Sequence, residues 1–489
     1  MIHKSYSSLL ILSLLWAVVA CTAHKQAHSP TVKVITTTGD RSKEFKTDTL
    51  ALFSADKTTN ANITLKPTEK FQTVYGFGAA ITGSTCYNLM QMSPADRKNF
   101  LIQTFSETEG FGQNFVRISI GCSDFSLSEY TLCDTKGIDN FALTQEETKY
   151  VIPILKEILA INPKVQIIGS PWTPPRWMKV NNLTDLQPYD HWTSGQLNPA
   201  LYQDYALYFA KWLQAMKDNG LNVNAITIQN EPLNRGNSAS MYMGWDEQLA
   251  FIKKALGKTL RDKGFAEVKI YLFDHNYNYD NMPSQQQYPL HIYKDTEASQ
   301  YITGAAYHNY GGNPDELNNI HNQYPNKELI FTESSIGTWN DGRNLERRLT
   351  EDMQELGIKT LNNHCKAVMV WNLMLDEHGA PNREGGCKTC FGAVDIQTSD
   401  YKTMQRNSHY YVISHLSAVI KQGATRIGVE KTTDDNVQCT AFQNPDGSLA
   451  CVLLNKKKEA THLTLSTGKQ YFSYEVPANS VVSFLIPKI

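Results

Sequence analysis

From residue 76 onward, apolar and polar positions repeat one plan: a short β-branched apolar run, a polar loop, then a longer stretch with apolar residues at the spacing of one helix face. Runs at 76–82, 114–120, 165–172, 224–231, 268–275, 302–310, 328–333 and 366–373 predict eight strands. Helical patterns occupy 93–105, 144–161, 199–219, 246–263, 345–362 and 403–421. The first opens Ser93-Pro94-Ala95-Asp96, a cap residue followed by proline at the first helical position. Alternation of this kind predicts an α/β fold, a (β/α)8 TIM barrel over 76–424. Its working face should lie at the C-terminal ends of the strands. The rival is an open doubly wound sheet, but no glycine-rich phosphate loop follows the first strand to favour it.

Beyond residue 424 the period falls from 3.6 to 2. Runs at 436–442 and 448–455 flank Asn444-Pro445-Asp446-Gly447, a hairpin turn signal, and 461–465, 471–476 and 480–486 continue the alternation. Segments 32–37 and 61–66 read as further strands. Together they predict an attached β-sandwich built from both chain ends: 425–489, and 22–75, which also carries a polar tether. Residues 1–21 read as a processing segment, with Lys4 ahead of an apolar run at 9–19 too short to span a bilayer. It ends Val18-Val19-Ala20-Cys21, which resembles the bacterial lipobox, in which the cysteine is lipidated; an ordinary signal peptide is the alternative. The lipobox reading makes the protein a cell-envelope lipoprotein, anchored to the outer membrane through Cys21.

Composition adds little beyond exclusions. A net charge of −2 with 19% charged residues offers no electrostatic footprint for nucleic acid. Nine cysteines form no disulfide framework; Cys387-Lys388-Thr389-Cys390 reads as a loop-clipping disulfide, free thiols or half a zinc site with His378 nearby.

The candidate chemistry sits at strand ends. Ala225–Pro232, AITIQNEP, runs from an apolar strand into Asn230-Glu231-Pro232, and 328–335, ELIFTESS, repeats the design with Glu333. Two carboxylates at the mouths of the fourth and seventh strands are what retaining glycosidic cleavage requires: one attacks the anomeric carbon and the other protonates the leaving oxygen, then activates water. The protonating carboxyl, Glu231, should carry a raised pKa. Asn230 can hydrogen-bond the sugar 2-OH. Arg117, on the second strand, needs a carboxylate partner and reads as a structural ion pair, a site residue, or both. Asp124 can accept sugar hydroxyls or cap its loop, and Trp172 and Trp371 can offer sugar platforms or fill core. Tyr310 can hold the nucleophile's orientation, while His308 reads equally as structural or ligand-contacting. With no local metal-ligand cluster, the chemistry needs neither metal nor cofactor.

These residues carry a resemblance. The chain is similar to glycoside hydrolase family 30, the glucosylceramidase-like enzymes, through 74–82 (VYGFGAAIT), 117–125 (RISIGCSDF), 140–149 (NFALTQEETK), 170–175 (SPWTPP), 229–232 (QNEP), 332–334 (TES), 371–373 (WNL) and 415–428 (HLSAVIKQGATRIG). The resemblance implies a barrel with a β-sandwich, a retaining mechanism, Glu231 as acid/base and Glu333 as nucleophile. It places Arg117, Asp124, Trp172, Asn230, Tyr310 and Trp371 around the first sugar. The chain departs from the family at Thr82-Gly83, where Thr-Asp is usual, and in the loop 376–390, both on the leaving-group side. The expected activity is hydrolysis of β-glucosides, with an endo-acting β-1,6-glucanase preferred because an envelope lipoprotein suits glycan gathering and no lip for a lipid tail is evident. Glucosylceramidase, exo-β-glucosidase or β-xylosidase activity remains open, as does a non-catalytic glycan-binding lipoprotein.

Overall fold

A computed structural model describes residues 1, 31–56, 59–277 and 282–488; the processing segment, Cys21 and the start of the tether lie outside the described residues. The eight barrel strands are Gly76–Ala79, Phe115–Ser119, Gln166–Ser170, Ala225–Thr227, Lys269–Asn276, Gly304–His308, Glu328–Glu333 and Cys365–Val370. They pair in parallel in chain order, and the eighth pairs with the first. The first and second are joined by a single bridge, Ala80 to Arg117, and by Ile81 N donating to Arg117 O at 2.8 Å. Gly78 makes that closure possible, because a Cβ there would stand 1.8 Å from Phe115 O.

Side-chain alternation sorts the barrel into layers. Val116, Ile118, Ile167, Ile226, Ala305, Leu329, Phe331, Val368 and Val370 belong to the large core shared with the helices. Residues of opposite parity, Phe115, Ile168, Ala225, Tyr271, Ala306, Ile330, Ala367 and Met369, pack together as a separate cluster inside the barrel. Below it Glu328 draws in Tyr271 at 2.6 Å, Tyr75 at 2.5 Å, Lys366 at 3.0 Å and Lys269 at 3.1 Å. One step above it, toward the strand C-termini, the inward positions turn polar: Arg117, Ser170, Thr227, His308 and Thr332. The apolar layer thus gives the polar layer a dry floor.

The helix Pro94–Phe105 begins as predicted, with Ser93 Oγ accepting from Asp96 N at 3.1 Å. The structure adds helices at Gly83–Gln91 and Asp315–Gln323 that the sequence pattern did not single out. Both are short, and Asp315–Gln323 buries only one face.

Ten strands from both chain ends form the sandwich as one continuous ladder. Thr31–Thr38 lies antiparallel to Ser480–Ile486, with Val34 opposite Phe484, and Ile63–Thr73 pairs with Thr425–Lys431. The ladder folds over its own core, bringing Phe472 within 5.2 Å of Phe484. The Asn444–Gly447 turn is closed by Asn444 N donating to Ser448 O at 2.8 Å, with Gly447 at φ 87°. The last barrel helix, Ser408–Val419, docks the two units: His415 Nδ1 is 2.9 Å from Ser483 Oγ and Nε2 is 2.9 Å from Thr37 Oγ1.

Candidate active site

The fourth strand is shorter than the sequence pattern predicted. It stops at Thr227, and Ile228–Glu231 leave it as a loop. That loop is strapped to both neighbours: Asn230 N donates to Pro171 O at 2.8 Å and Glu231 N to Asp274 O at 2.9 Å. The straps hold Glu231 at φ 45°, a left-handed conformation that costs a non-glycine residue of order 1 kcal/mol and recurs at functional sites. On the fifth strand the register shifts between Phe273 and His275, with Phe273 at φ 69° and Asp274 at φ 60°. Such a bulge re-aims side chains, and it turns both Asp274 and His275 toward the site.

Arg117 is the hub. Wholly buried, it donates through Nη1 to Glu333 Oε2 at 2.5 Å, through Nη2 to Asp274 Oδ2 at 2.8 Å and Asn230 Oδ1 at 2.7 Å, and through Nε to Ser170 Oγ at 3.2 Å. Asp274 also accepts from Thr227 Oγ1 at 2.7 Å and Thr332 Oγ1 at 2.6 Å. Burial opposes the Asp274 charge, but Arg117 and His308 outweigh it and hold the carboxyl well below the usual range.

Glu231 and Glu333 meet at His308. Its Nδ1 lies 3.4 Å from Glu231 Oε1 and 3.9 Å from Glu333 Oε1, and its Nε2 lies 3.1 Å from Asp274 Oδ1. The two Oε1 atoms so placed around one nitrogen are at most roughly 7 Å apart, which admits the retaining separation of about 5–5.5 Å. Glu231 Oε2 accepts from Asn234 Nδ2 and Asn237 Nδ2, each at 2.8 Å. The Tyr310 hydroxyl is 3.0 Å from both Glu333 Oε1 and Ser335 Oγ, and Tyr310 N is held by Asn276 Oδ1 at 3.1 Å.

The charge distribution differs from the sequence expectation. Burial would raise the Glu231 carboxyl, yet the His308 hydrogen bond, the charges of His275 and His308, and the Asn234 donor bring it down to about 2. Burial also opposes a charge on His308, but Glu333, Asp274 and Glu231 raise it to about 9. Burial raises Glu333 despite His308 and Arg117. Glu231 held low and His308 held high favour the shared proton on His308, a hydrogen bond away from Glu231, and the group titrates as a unit.

Two family models match this chain: the glycosyl hydrolase family 30 TIM-barrel domain over residues 74–420, and the family's beta sandwich domain over 423–484. The chain belongs to glycosyl hydrolase family 30. It is accordingly a glycosyl hydrolase. Among its relatives are the endo-1,6-beta-D-glucanase BGN16.3 of Trichoderma harzianum, 32% identical over 86% of this chain and 85% of that one, and the lysosomal acid glucosylceramidase of Mus musculus, 28% identical over 86% and 83%. The solved endo-beta1,6-glucanase BT3312 superposes with a TM-score of 0.91 at 59% identity, covering 94% of this chain and all of that one.

In this family 30 enzyme the structure gathers Arg117, Asn230, Glu231, His308, Tyr310 and Glu333 within one hydrogen-bonded set. Because Asn230 Oδ1 accepts from Arg117, the amide nitrogen is the end left to donate to a sugar. Trp172 and Trp371 stack on each other at 4.9 Å and lie 4.9 and 5.4 Å from the Arg117 guanidinium. Each is only 2% exposed, so they wall the site around Arg117 and leave little open ring face. Asp124 lies beside the site, with burial and the charge of Glu333 pushing its carboxyl up to about 7. The loop 376–390 covers it: Gly386 sits against Asp124 O, and Arg383 donates to Ser123 O at 2.7 Å and to Glu129 Oε1 at 2.9 Å. Cys387 and Cys390 are joined by a disulfide, which removes the half-zinc reading.

Sequence reasoning missed Asp274, His275, Asn234, Asn237 and Ser335. The polar pair at the end of YLFDHN carried the same signal as Glu231, an apolar strand ending in ionisable groups. Asn234 and Asn237 lie in a loop with no periodic signal.

Proposed function

We propose that this chain is an endo-acting β-1,6-glucanase that works by double displacement, with Glu333 as nucleophile and Glu231 as acid/base. Placement of both carboxylates around one imidazole carries the mechanistic part of this reading. The substrate part is supported by the likeness to BT3312 over that protein's whole length. Glu333, oriented by Arg117 and Tyr310, attacks the anomeric carbon as the glycosidic bond breaks. His308 Nδ1 passes its proton to Glu231 Oε1 as Glu231 protonates the leaving oxygen, which leaves His308 neutral and Glu231 a carboxylate. Glu231, now a carboxylate, takes a proton from water, whose oxygen releases the sugar from Glu333 with retained configuration.

The test is product analysis after incubation with β-1,6-glucan, using Glu333→Gln as the blank. A ladder of β-1,6-linked oligosaccharides absent from the blank is expected. Cleavage of an aryl β-glucoside or glucosylceramide with no action on the polymer would move the substrate to the alternatives.

The Val18–Cys21 segment supports lipid anchoring of the enzyme in the cell envelope, at the outer membrane. Radiolabelled palmitate should enter the wild type and not Cys21→Ala; label in both would sink that reading.

A further inference from the structure

Among the described residues, Glu231, His275 and His308 offer one donor atom each within 4.8 Å of one another, all buried. The members of this cluster come from three separate strand ends, so no local spacing in the chain marks it. Glu231 Oε2 is taken by Asn234 and Asn237, which leaves Oε1 facing both imidazoles. From Oε1, His308 Nδ1 is 3.4 Å away and His275 Nδ1 is 3.8 Å away. The first is a long hydrogen bond in the free site and also matches the edge, about 3.4 Å, of a tetrahedron of nitrogen and oxygen ligands about 2.1 Å from a central zinc. The second, beyond hydrogen-bond reach, is within about 0.4 Å of that edge. A second feature points the same way. His308 Nε2 faces the Asp274 carboxylate at 3.1 Å, the carboxylate–histidine arrangement that orients an imidazole toward a metal. Asp274 is itself fixed by Arg117 and two threonines, so its orientation is preset.

We propose that Glu231, His275 and His308 form an inhibitory site for a tetrahedral divalent cation, Zn2+. The ion binds Glu231 Oε1, His275 Nδ1 and His308 Nδ1, and the His308 Nδ1 proton leaves to solvent. Water completes the fourth position. Hydrolysis stops because the oxygen that must protonate the leaving group is now a ligand. The inhibitory part rests on Glu231 being the acid/base; the binding part does not.

The experiment uses the folded enzyme with Co2+ as a visible probe and Zn2+ as inhibitor. One equivalent of Co2+ should give the intense visible bands of tetrahedral cobalt, Zn2+ should displace them, and Zn2+ should inhibit aryl β-glucoside hydrolysis reversibly by chelator. His275→Gln should lose the bands and need at least tenfold more Zn2+ for half-inhibition, measured against its own uninhibited rate. Should His275→Gln fail to fold, Glu231→Gln, which keeps the side-chain volume, must lose the same bands. Absence of tetrahedral bands in the wild type, or unchanged bands in the variant, would overturn the site. Bound cobalt with undiminished hydrolysis would overturn the inhibition and, with it, Glu231 as proton donor, while leaving the ligand set intact.

Discussion

Arg117 donates to Asp274 at 2.8 Å with both side chains wholly buried, and the same guanidinium holds Glu333 at 2.5 Å. The guanidinium that pairs with Asp274 in the barrel interior is thus also what fixes Glu333, the proposed nucleophile. Asp274→Asn leaves Arg117 with one fewer charge partner in a dry site, and breaking such a pair costs about 3–5 kcal/mol. Denaturant unfolding should show that loss. A change under about 1 kcal/mol, the worth of a surface pair, would mean that the pair does not hold the interior.

On the proposed mechanism His308 supplies the proton that Glu231 passes on, so the alkaline limb of kcat/KM should follow the shared group near pH 9. In His308→Gln the proton has to reside on Glu231, a carboxyl with two asparagine donors on it. The alkaline limb should then move down by more than one pH unit. A limb that stays in place would assign the proton elsewhere.

Tyr310 touches Glu333 and not Glu231. Tyr310→Phe should lower kcat by about 10–100-fold through loss of the nucleophile's orientation and of a charge-stabilising donor, with a much smaller change in KM. An equal loss in the binding of a non-hydrolysed glucoside analogue would instead make Tyr310 a sugar contact.

Acid should loosen the joint between the two units. Burial lowers the His415 imidazole to about 3, whereas in the unfolded chain it titrates near 6.5. The unfolded state therefore takes the proton first. The stability that neutral His415 contributes is whole above pH 6.5 and is lost as pH falls toward 3. Ser483 Oγ donates to His415 O, so it accepts from Nδ1–H, and Nε2 accepts from Thr37. His415→Gln should be less stable near neutrality, and its stability should fall less steeply between pH 6.5 and 4. Parallel pH curves for the two proteins would contradict this.

Much of this architecture was legible because barrel strands alternate with period 2 and their helices with period 3.6. Phe115 then Arg117, Ile168 then Ser170, and Ala225 then Thr227 each step from the apolar floor to the polar layer. Glu231 and Glu333 stood out because each ends an apolar run. Asp274 and His275 were hidden by a bulge: regular alternation puts neighbours on opposite faces, and only a register shift lets both face the site. The raised pKa expected of Glu231 failed for a related reason. It depends on His308, 77 residues away, and on two loop asparagines that no local pattern marks.

The division of labour between Glu333 and Glu231 is tested most directly by trapping the intermediate. Incubation with an activated 2-deoxy-2-fluoro-β-glucoside, which slows the second displacement more than the first, should leave one fluoroglucosyl group per chain. Peptide mapping by mass spectrometry should find it on the peptide containing Glu333. A label on Glu231, or turnover with no covalent adduct, would contradict the double displacement assigned to this pair.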